Sequence, residues 1–332
     1  MKLTVLKTLA VTLATIFLSG CFIRIVPLPG GWVQVQSGNF PDCAPGDECE
    51  DIPVVDQMFD ETFIARPDEG FEFVRWIRAD RHFFGCSEDT EIRLFTTEFE
   101  GSGLEPFLET DDVFVIRPLF RSTGPDIDYE TDFECNPLSG ELIGESWVSY
   151  VNIFEADGNT YVGGYAVGSG APNGEQISAL AIRQGGADQG GKHLNVFSNY
   201  ESDYQGRVQH AEGQFVEVNV YQEYRLNANN AGTYVFTFDA RLPDELGLEG
   251  PAEAFAFAKV LDPGNDYQPT EPPVEFDSGD LDKTWQTRTI EITVTPEMAG
   301  MLLQFGFTNL ATNYTATGVL YDNVSFKIKS GG

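Results

Sequence analysis

Apolar and polar positions alternate with a period of two along much of this chain. Over residues 215–226, Phe215, Glu217, Asn219 and Tyr221 share one face, and Val216, Val218, Val220 and Gln222 share the other. That is the pattern of a half-buried β-strand. Residues 233–239 repeat it, with Tyr234, Phe236 and Phe238 together. Comparable runs predict strands at 193–198, 232–241, 254–261, 285–295, 301–308 and 318–327, with Gly, Asn, Asp and Pro between them. No helical period intervenes beyond one helical turn near 296–300. Short strands at this spacing predict a β-sandwich for the C-terminal half. In the N-terminal half, strand patterns fall at 61–65, 71–79, 91–97 and 113–120. There Phe71, Phe73 and Arg75 alternate against Glu72, Val74 and Trp76, and Trp76 reads as a core aromatic.

Composition narrows the partners. The 332 residues include 20 Lys+Arg against 52 Asp+Glu, a net charge of −32. Such a polyanion repels nucleic acid and anionic lipid surfaces. At 42% hydrophobic and 13% aromatic residues, the chain is too apolar for disorder, so the acids belong on folded surfaces. Gly 34, Pro 18, Phe 26 and Tyr 12 favour strands and turns over helices, and the length suggests about two domains.

Lys2 and Lys7 precede an uncharged apolar stretch, 8–18, that is too short to span a bilayer. Leu18-Ser19-Gly20-Cys21 follows and resembles the bacterial lipobox. The resemblance implies a signal peptide at 1–20, lipidation of Cys21 and, with Phe22 next, placement in the outer membrane on its periplasmic face or at the cell surface. Loss of Lys2 and Lys7 leaves 18 basic against 52 acidic residues, a balance of −34. The expected organisation is a lipidated tether at 21–37, a small β domain acting as spacer or adhesion module at 38–143, and a larger domain at 144–330. Four further cysteines, Cys43, Cys49, Cys86 and Cys135, form an even set for an exported protein and read as two disulfides. Three pairings are open, and Cys43–Cys49 with Cys86–Cys135 is preferred, the latter stapling the N-terminal half. Zinc competes poorly, because no C-x-x-C occurs and His82, His193 and His210 are scattered.

The spacing of Phe63, Ala65, Pro67, Gly70, Phe71, Phe73 and Trp76 resembles a divergent internalin-type B-repeat, implying a small β-grasp-like module. Residues 147–155, with Trp147, Asn152, Phe154 and Glu155, resemble the opening strand of jelly-roll, galactose-binding-like carbohydrate-binding modules. Residues 232–240 resemble their central strand, and Tyr321-Asp322-Asn323-Val324 resembles their last. That resemblance implies an all-β fold, a jelly-roll sandwich behind the small disulfide-stapled domain, and polysaccharide or glycan as partner. It also implies a structural Ca²⁺ between the first and last strands, held by Glu155 and Asp322 with Asp157 contributing.

Sugar recognition needs aromatic platforms flanked by amides and carboxylates. Tyr200, Tyr204 and Asn199, in a loop free of aliphatic neighbours, are the leading candidates, with Tyr221 and Trp285 further ones and Glu217 and Asn219 beside Tyr221 on its strand face. Evidence for catalysis is thin. Glu217 and Glu223 stand roughly 20 Å apart on one strand, too far to act as a glycosidase pair. His210, Tyr221, Gln222 and Arg225 have the residue types of a lyase site without a recognised motif, and neither G-x-S-x-G nor H-E-x-x-H occurs. The expectation is a monomeric, lipid-anchored glycan-binding protein. A polysaccharide lyase or hydrolase and a ligand-free adhesion lipoprotein are the alternatives.

Overall fold

The computed structural model describes residues 21–47, 49–54, 58–77, 86–101, 105–135, 147–169, 178–182, 184–198, 213–245, 247–248, 252–312 and 318–329. Strands dominate, and among the described residues the only helices are short 3-10 turns. None of them is long and apolar enough to cross a membrane.

The first unit contains β1 (Cys21–Ile25), β2 (Gly31–Val35), β3 (Ile52–Val54), β4 (Asp60–Pro67), β5 (Phe71–Ile77), β6 (Glu91–Phe95) and β7 (Val113–Ser122). They form a four-stranded sheet, β3-β1-β7-β5, and a three-stranded sheet, β2-β4-β6. Ile23, Val33, Phe63, Trp76, Phe114 and Ile116 meet in one core. The tether expected at 21–37 is instead woven into both sheets: β1 runs parallel to β7, and β2 pairs with β4. The cause is local, since both strands alternate buried with more exposed residues. One further departure lies in β5. A bulge between Phe73 and Arg75 inserts a residue against β7, which flips the parity of everything beyond it. Trp76 therefore joins Phe73, their ring centroids 5.7 Å apart, on the side that simple alternation denied it. Buried Trp76 donates its indole N–H to Asp89 O at 2.9 Å.

The remaining strands are β8 (Tyr129–Thr131), β9 (Val148–Phe154), β10 (Tyr161–Ser169), β11 (Ser178–Ile182), β12 (Lys192–Phe197), β13 (Phe215–Arg225), β14 (Gly232–Arg241), β15 (Glu253–Asp262), β16 (Gln268–Pro269), β17 (Val274–Asp277), β18 (Gln286–Val294), β19 (Leu302–Thr312) and β20 (Gly318–Ile328). They build a jelly-roll sandwich. One sheet runs β10-β9-β13-β19-β15-β16, with β17 also on β15; the other runs β11-β12-β20-β14-β18, with β8 on β20. Tyr234, Phe236 and Phe238 are fully buried with Phe305, Phe307, Tyr321 and Phe326 between the sheets. Phe305 and Phe326 stack at 4.1 Å. The helical turn expected near 296–300 is the 3-10 turn Pro296–Met298.

β8 moves the boundary between the units. Tyr129, Ile127 and Phe133 belong to the sandwich core, and the Tyr129 hydroxyl accepts the Trp147 indole N–H at 2.8 Å. The segment expected as one domain at 38–143 is thus divided between the two units. Both preferred disulfides are present, with Cα–Cα separations of 5.8 Å for Cys43–Cys49 and 5.2 Å for Cys86–Cys135. The first closes a loop within the N-terminal unit. The second does not staple that unit internally: Cys86 N–H bonds Trp76 O at 2.6 Å, whereas Cys135 follows β8 of the sandwich, so the bond ties one unit to the other.

Candidate functional site

Alternation on β13 turns Val216, Val218 and Val220 into the core, so Glu217, Asn219, Tyr221 and Glu223 stand on the outer face of the larger sheet. Register then brings partners beside them. Asn152 and Tyr150 on β9 lie opposite Glu217 and Asn219. On β19, Gln304, Gly306 and Thr308 lie opposite Glu223, Tyr221 and Asn219, and Phe257 of β15 flanks Gly306 from the far side. The local signal on β15 is inverted in size: small Ala254, Ala256 and Ala258 fill the core, leaving Phe255, Phe257 and Lys259 to point out.

Two rows result. The aromatic row holds Tyr161, Phe154, Tyr150, Tyr221 and Phe257; Phe154 and Tyr161 meet edge to face at 5.8 Å, and Tyr221 and Phe257 lie 6.5 Å apart. The line runs diagonally: from β10 to β15 it crosses four strand spacings, about 19 Å, while Phe154 lies opposite Phe215, six residues or about 20 Å along β13 from Tyr221. Beside it, Glu217 Oε1 accepts from Asn152 Nδ2 and Asn219 Nδ2, each at 2.7 Å. Thr308 Oγ1 donates to Asn219 Oδ1 at 2.7 Å, and Gln304 Nε2 donates to Glu223 Oε2 at 2.7 Å. A chain of hydrogen bonds thereby holds four polar side chains in fixed positions.

Electrostatics on the face are balanced internally. Burial, reinforced by the Glu223 carboxylate and the Tyr150 hydroxyl, pushes the Tyr221 hydroxyl up to about 12, so it remains a neutral donor and acceptor. The Lys259 ammonium sits 4.5 Å from the centroid of the Phe257 ring, a cation–π contact. Burial lowers its pKa, while Glu217 and Glu275 oppose that shift. Tyr161, Phe154, Tyr150 and Tyr221 can cover the C–H faces of a polyhydroxyl chain, and the fixed amides and carboxylates beside them can meet its hydroxyls. Phe257, 3% exposed with Lys259 over its ring, buttresses Tyr221.

The sequence candidates separate. Tyr221, Asn219 and Glu217 are on this face. Tyr200, Tyr204 and Asn199 lie outside the described residues. Trp285 is elsewhere, beside the other sheet: its indole N–H donates to Gln184 O at 2.8 Å and its ring packs 5.1 Å from buried His193. Tyr150, Asn152, Gln304, Thr308, Phe257 and Lys259 were missed as site residues. Only the inverted alternation of β15 marked any of them in advance.

The expected calcium ligands are not brought together. Asp157 caps an exposed turn, accepting from the Asn159 and Thr160 amides at 2.8 Å each and from the Thr160 hydroxyl. Glu155 lies next to that turn, within 3.5 Å of Gln214 Nε2. Asp322 is only 1% exposed, and its oxygens meet His193 Nδ1 at 3.2 Å and the Asn323 amide at 2.7 Å. Burial pushes its carboxyl well up, and nearby Asp132, Glu134 and Asp239 add to the shift; neither Glu155 nor Asp157 acts on it. Among the described residues no group of three or more His, Cys, Asp or Glu side chains is arranged to hold a metal ion. Cys21 opens β1 with its side chain packed in the first core, 2% exposed, and burial raises its thiol pKa.

No protein-family model matches the chain, and no curated protein matches it. Solved structures do. The enzymatically active domain of tailspike protein 4 from bacteriophage CBA120 matches at 9% identity and a TM-score of 0.33, over 58% of this chain and 21% of that one, so the chain spans about a fifth of that structure. The CBM22-1 xylan-binding domain of Paenibacillus barcinonensis Xyn10C matches at 9% identity and a TM-score of 0.33, over 64% of this chain and all of that one. A carbohydrate-binding module of the β-sandwich superfamily matches at 11% identity and a TM-score of 0.34, over 90% and 97% of the two chains.

Proposed function

We propose that the protein binds polysaccharide, without cleaving it, on the outer face of the larger sandwich sheet. One observation carries this reading: Tyr150, Tyr221 and Phe257 form an aromatic row alongside the Asn152–Glu217–Asn219–Thr308 hydrogen-bond chain. The row crosses the strands, which suits a linear chain bound along its length. Lys259 is balanced by Glu217 and Glu275, and the overall charge is −32, so a neutral glycan is favoured over a polyanion. Catalysis gains no support from the face. Glu217 is committed to two amides, and Glu223, its neighbour on the strand, is roughly 20 Å away.

Affinity electrophoresis against neutral polysaccharides tests the reading. Tyr221→Ala should abolish retardation, and Phe257→Ala, which removes the ring buttressing Tyr221, should weaken it, while the thermal transition persists. Retardation unchanged in both variants sinks the proposal, and release of reducing ends by the wild-type chain would replace it with hydrolysis or lysis.

Lipid attachment at Cys21 and a bracing Ca²⁺ belong to the same proposal. The lipobox-like Leu18-Ser19-Gly20-Cys21 supports the anchor. An acylated sulfur cannot occupy the core, so acylation requires the first pair of β1, Cys21 with Val54, to open. Cys21→Ala should release the protein from the membrane fraction. For Ca²⁺, no ligand set is gathered among the described residues; the acids nearest Asp322, on the last strand, are Asp132, Glu134 and Asp239. These residues, not Glu155 and Asp157, would have to converge on the ion. Thermal melts with calcium and with chelator, on wild type and Asp322→Asn, test that assignment.

A further inference from the structure

Away from the aromatic row, a cavity of about 440 Å³ opens where the two units meet. Such a volume is within the range of small-molecule sites. Both units contribute walls: Arg121 and Ser122 end β7 of the first, Gln222, Tyr224 and Arg225 end β13 of the second, and the connecting segment 124–128 runs between them.

Two arginines, Arg121 and Arg225, stand on its wall. Arg24, Arg93 and Arg241 are paired with Asp51, Asp60 and Asp244. Arg121 has no hydrogen-bond or ion-pair partner for its side chain among the described residues. Arg225 donates Nη1 to Gly300 O at 2.9 Å, a backbone carbonyl that fixes the guanidinium without neutralising it. Asp128, on the cavity wall, accepts the Ser122 amide at 2.8 Å and faces Lys327 at 3.8 Å, so its charge is already engaged. Asp126 is the remaining wall carboxylate. Tyr224 is stacked on Phe305 at 5.9 Å and 9°, which fixes its ring at the cavity wall. Two guanidiniums without a carboxylate partner among the described residues, a buried amide at Gln222 and a fixed phenol ring thus line the cavity together with Asp126 and the engaged Asp128.

We infer that this junction cavity is a second site, and that it takes a single acidic sugar unit, a uronic acid whose carboxylate is met by Arg121 and Arg225. Guanidinium matches carboxylate geometry, while Gln222, Asn227 and Tyr224 supply partners for ring hydroxyls. The inference does not depend on the aromatic row, because it uses other residues and a different charge pattern.

Titration of the full-length chain with glucuronic and galacturonic acids, followed by NMR or calorimetry, tests it. Glucose, galactose and acetate serve as controls. A uronic acid should bind, the neutral sugars and acetate at least tenfold more weakly, and affinity should fall at least tenfold in Arg121→Gln and in Arg225→Gln. Arg121 is exposed and its side chain has no hydrogen-bond or ion-pair partner among the described residues, so its variant keeps the measurement meaningful if Arg225→Gln is unstable. Tyr221→Ala should leave uronic acid binding intact. Equal binding of acetate would mean a non-specific anion contact, and equal binding of neutral sugar would remove the role of charge; either overturns the inference. So does insensitivity to Arg121→Gln, or loss of binding in a folded Tyr221→Ala.

Discussion

Tyr221 and Phe257 approach each other across Gly306, which separates their strands and carries no side chain of its own. A Cβ at Gly306 would lie 2.3 Å from Val220 O, 2.6 Å from Tyr221 Cα and 2.7 Å from Tyr221 Cβ. Backbone surrounds it, so nothing can yield cheaply. Gly306→Ala should therefore cost about 1–3 kcal/mol, read as a lowered urea midpoint, and should weaken polysaccharide retention by parting the two rings. Unchanged stability would show that the central strands tolerate separation.

Glu217 organises the polar row. Its replacement by Ala leaves the amide donors of Asn152 and Asn219 without an acceptor, at a cost of about 1–3 kcal/mol. Gln keeps one acceptor oxygen and should recover part of that loss. Chemical denaturation of the two variants should rank them wild type, Gln, Ala, with glycan affinity in the same order.

The Tyr221 hydroxyl supplies a pH signature. Its pKa, 10 in the unfolded chain, is pushed to about 12 in the fold. Between those values the native state holds a proton that the unfolded state has lost, so stability declines as pH rises from 10 through 12. Burial also raises the Tyr321 hydroxyl, and the decline is therefore shared. Tyr221→Phe should make it shallower, measured by denaturant titrations at stepped alkaline pH. Parallel curves for the two proteins would refute the burial argument.

Cys86–Cys135 closes a span of 49 residues and connects the units. Replacing both cysteines by Ser should remove about 2–4 kcal/mol. Separate melting of the two cores should then emerge where the oxidised protein shows one transition. A single transition in both forms would mean that the noncovalent contacts between the units suffice to couple them.

Much of the sandwich was legible in the chain. Residues 232–241 match β14 end to end, and 215–226 overruns β13 by one residue. The face assignment of Glu217, Asn219 and Tyr221 stands because alternation on one strand is a local property. Four features were not legible. Two short strands, β1 and β2, read as a Pro- and Gly-containing tether; β8 lay inside the expected first domain; the bulge in β5 reversed the side of Trp76; and Trp285 looked like a platform yet packs on His193.

By itself, then, the sequence determined an acidic all-β protein, which residues turn toward a core, and which cysteines pair most economically. Those properties follow from composition and from the two-residue repeat of a strand, and neither requires knowledge of a neighbour. Only the tertiary structure decided which strands lie side by side. Register across β9, β13, β19 and β15 gathered Asn152, Glu217, Tyr221, Gly306 and Phe257 from four separate strands of the chain. Pairing also placed β8 on β20, turning Cys86–Cys135 from a staple within one unit into the link between two. The reason is physical: strand order and register are set by the joint burial of distant side chains, a free energy that no single segment contains.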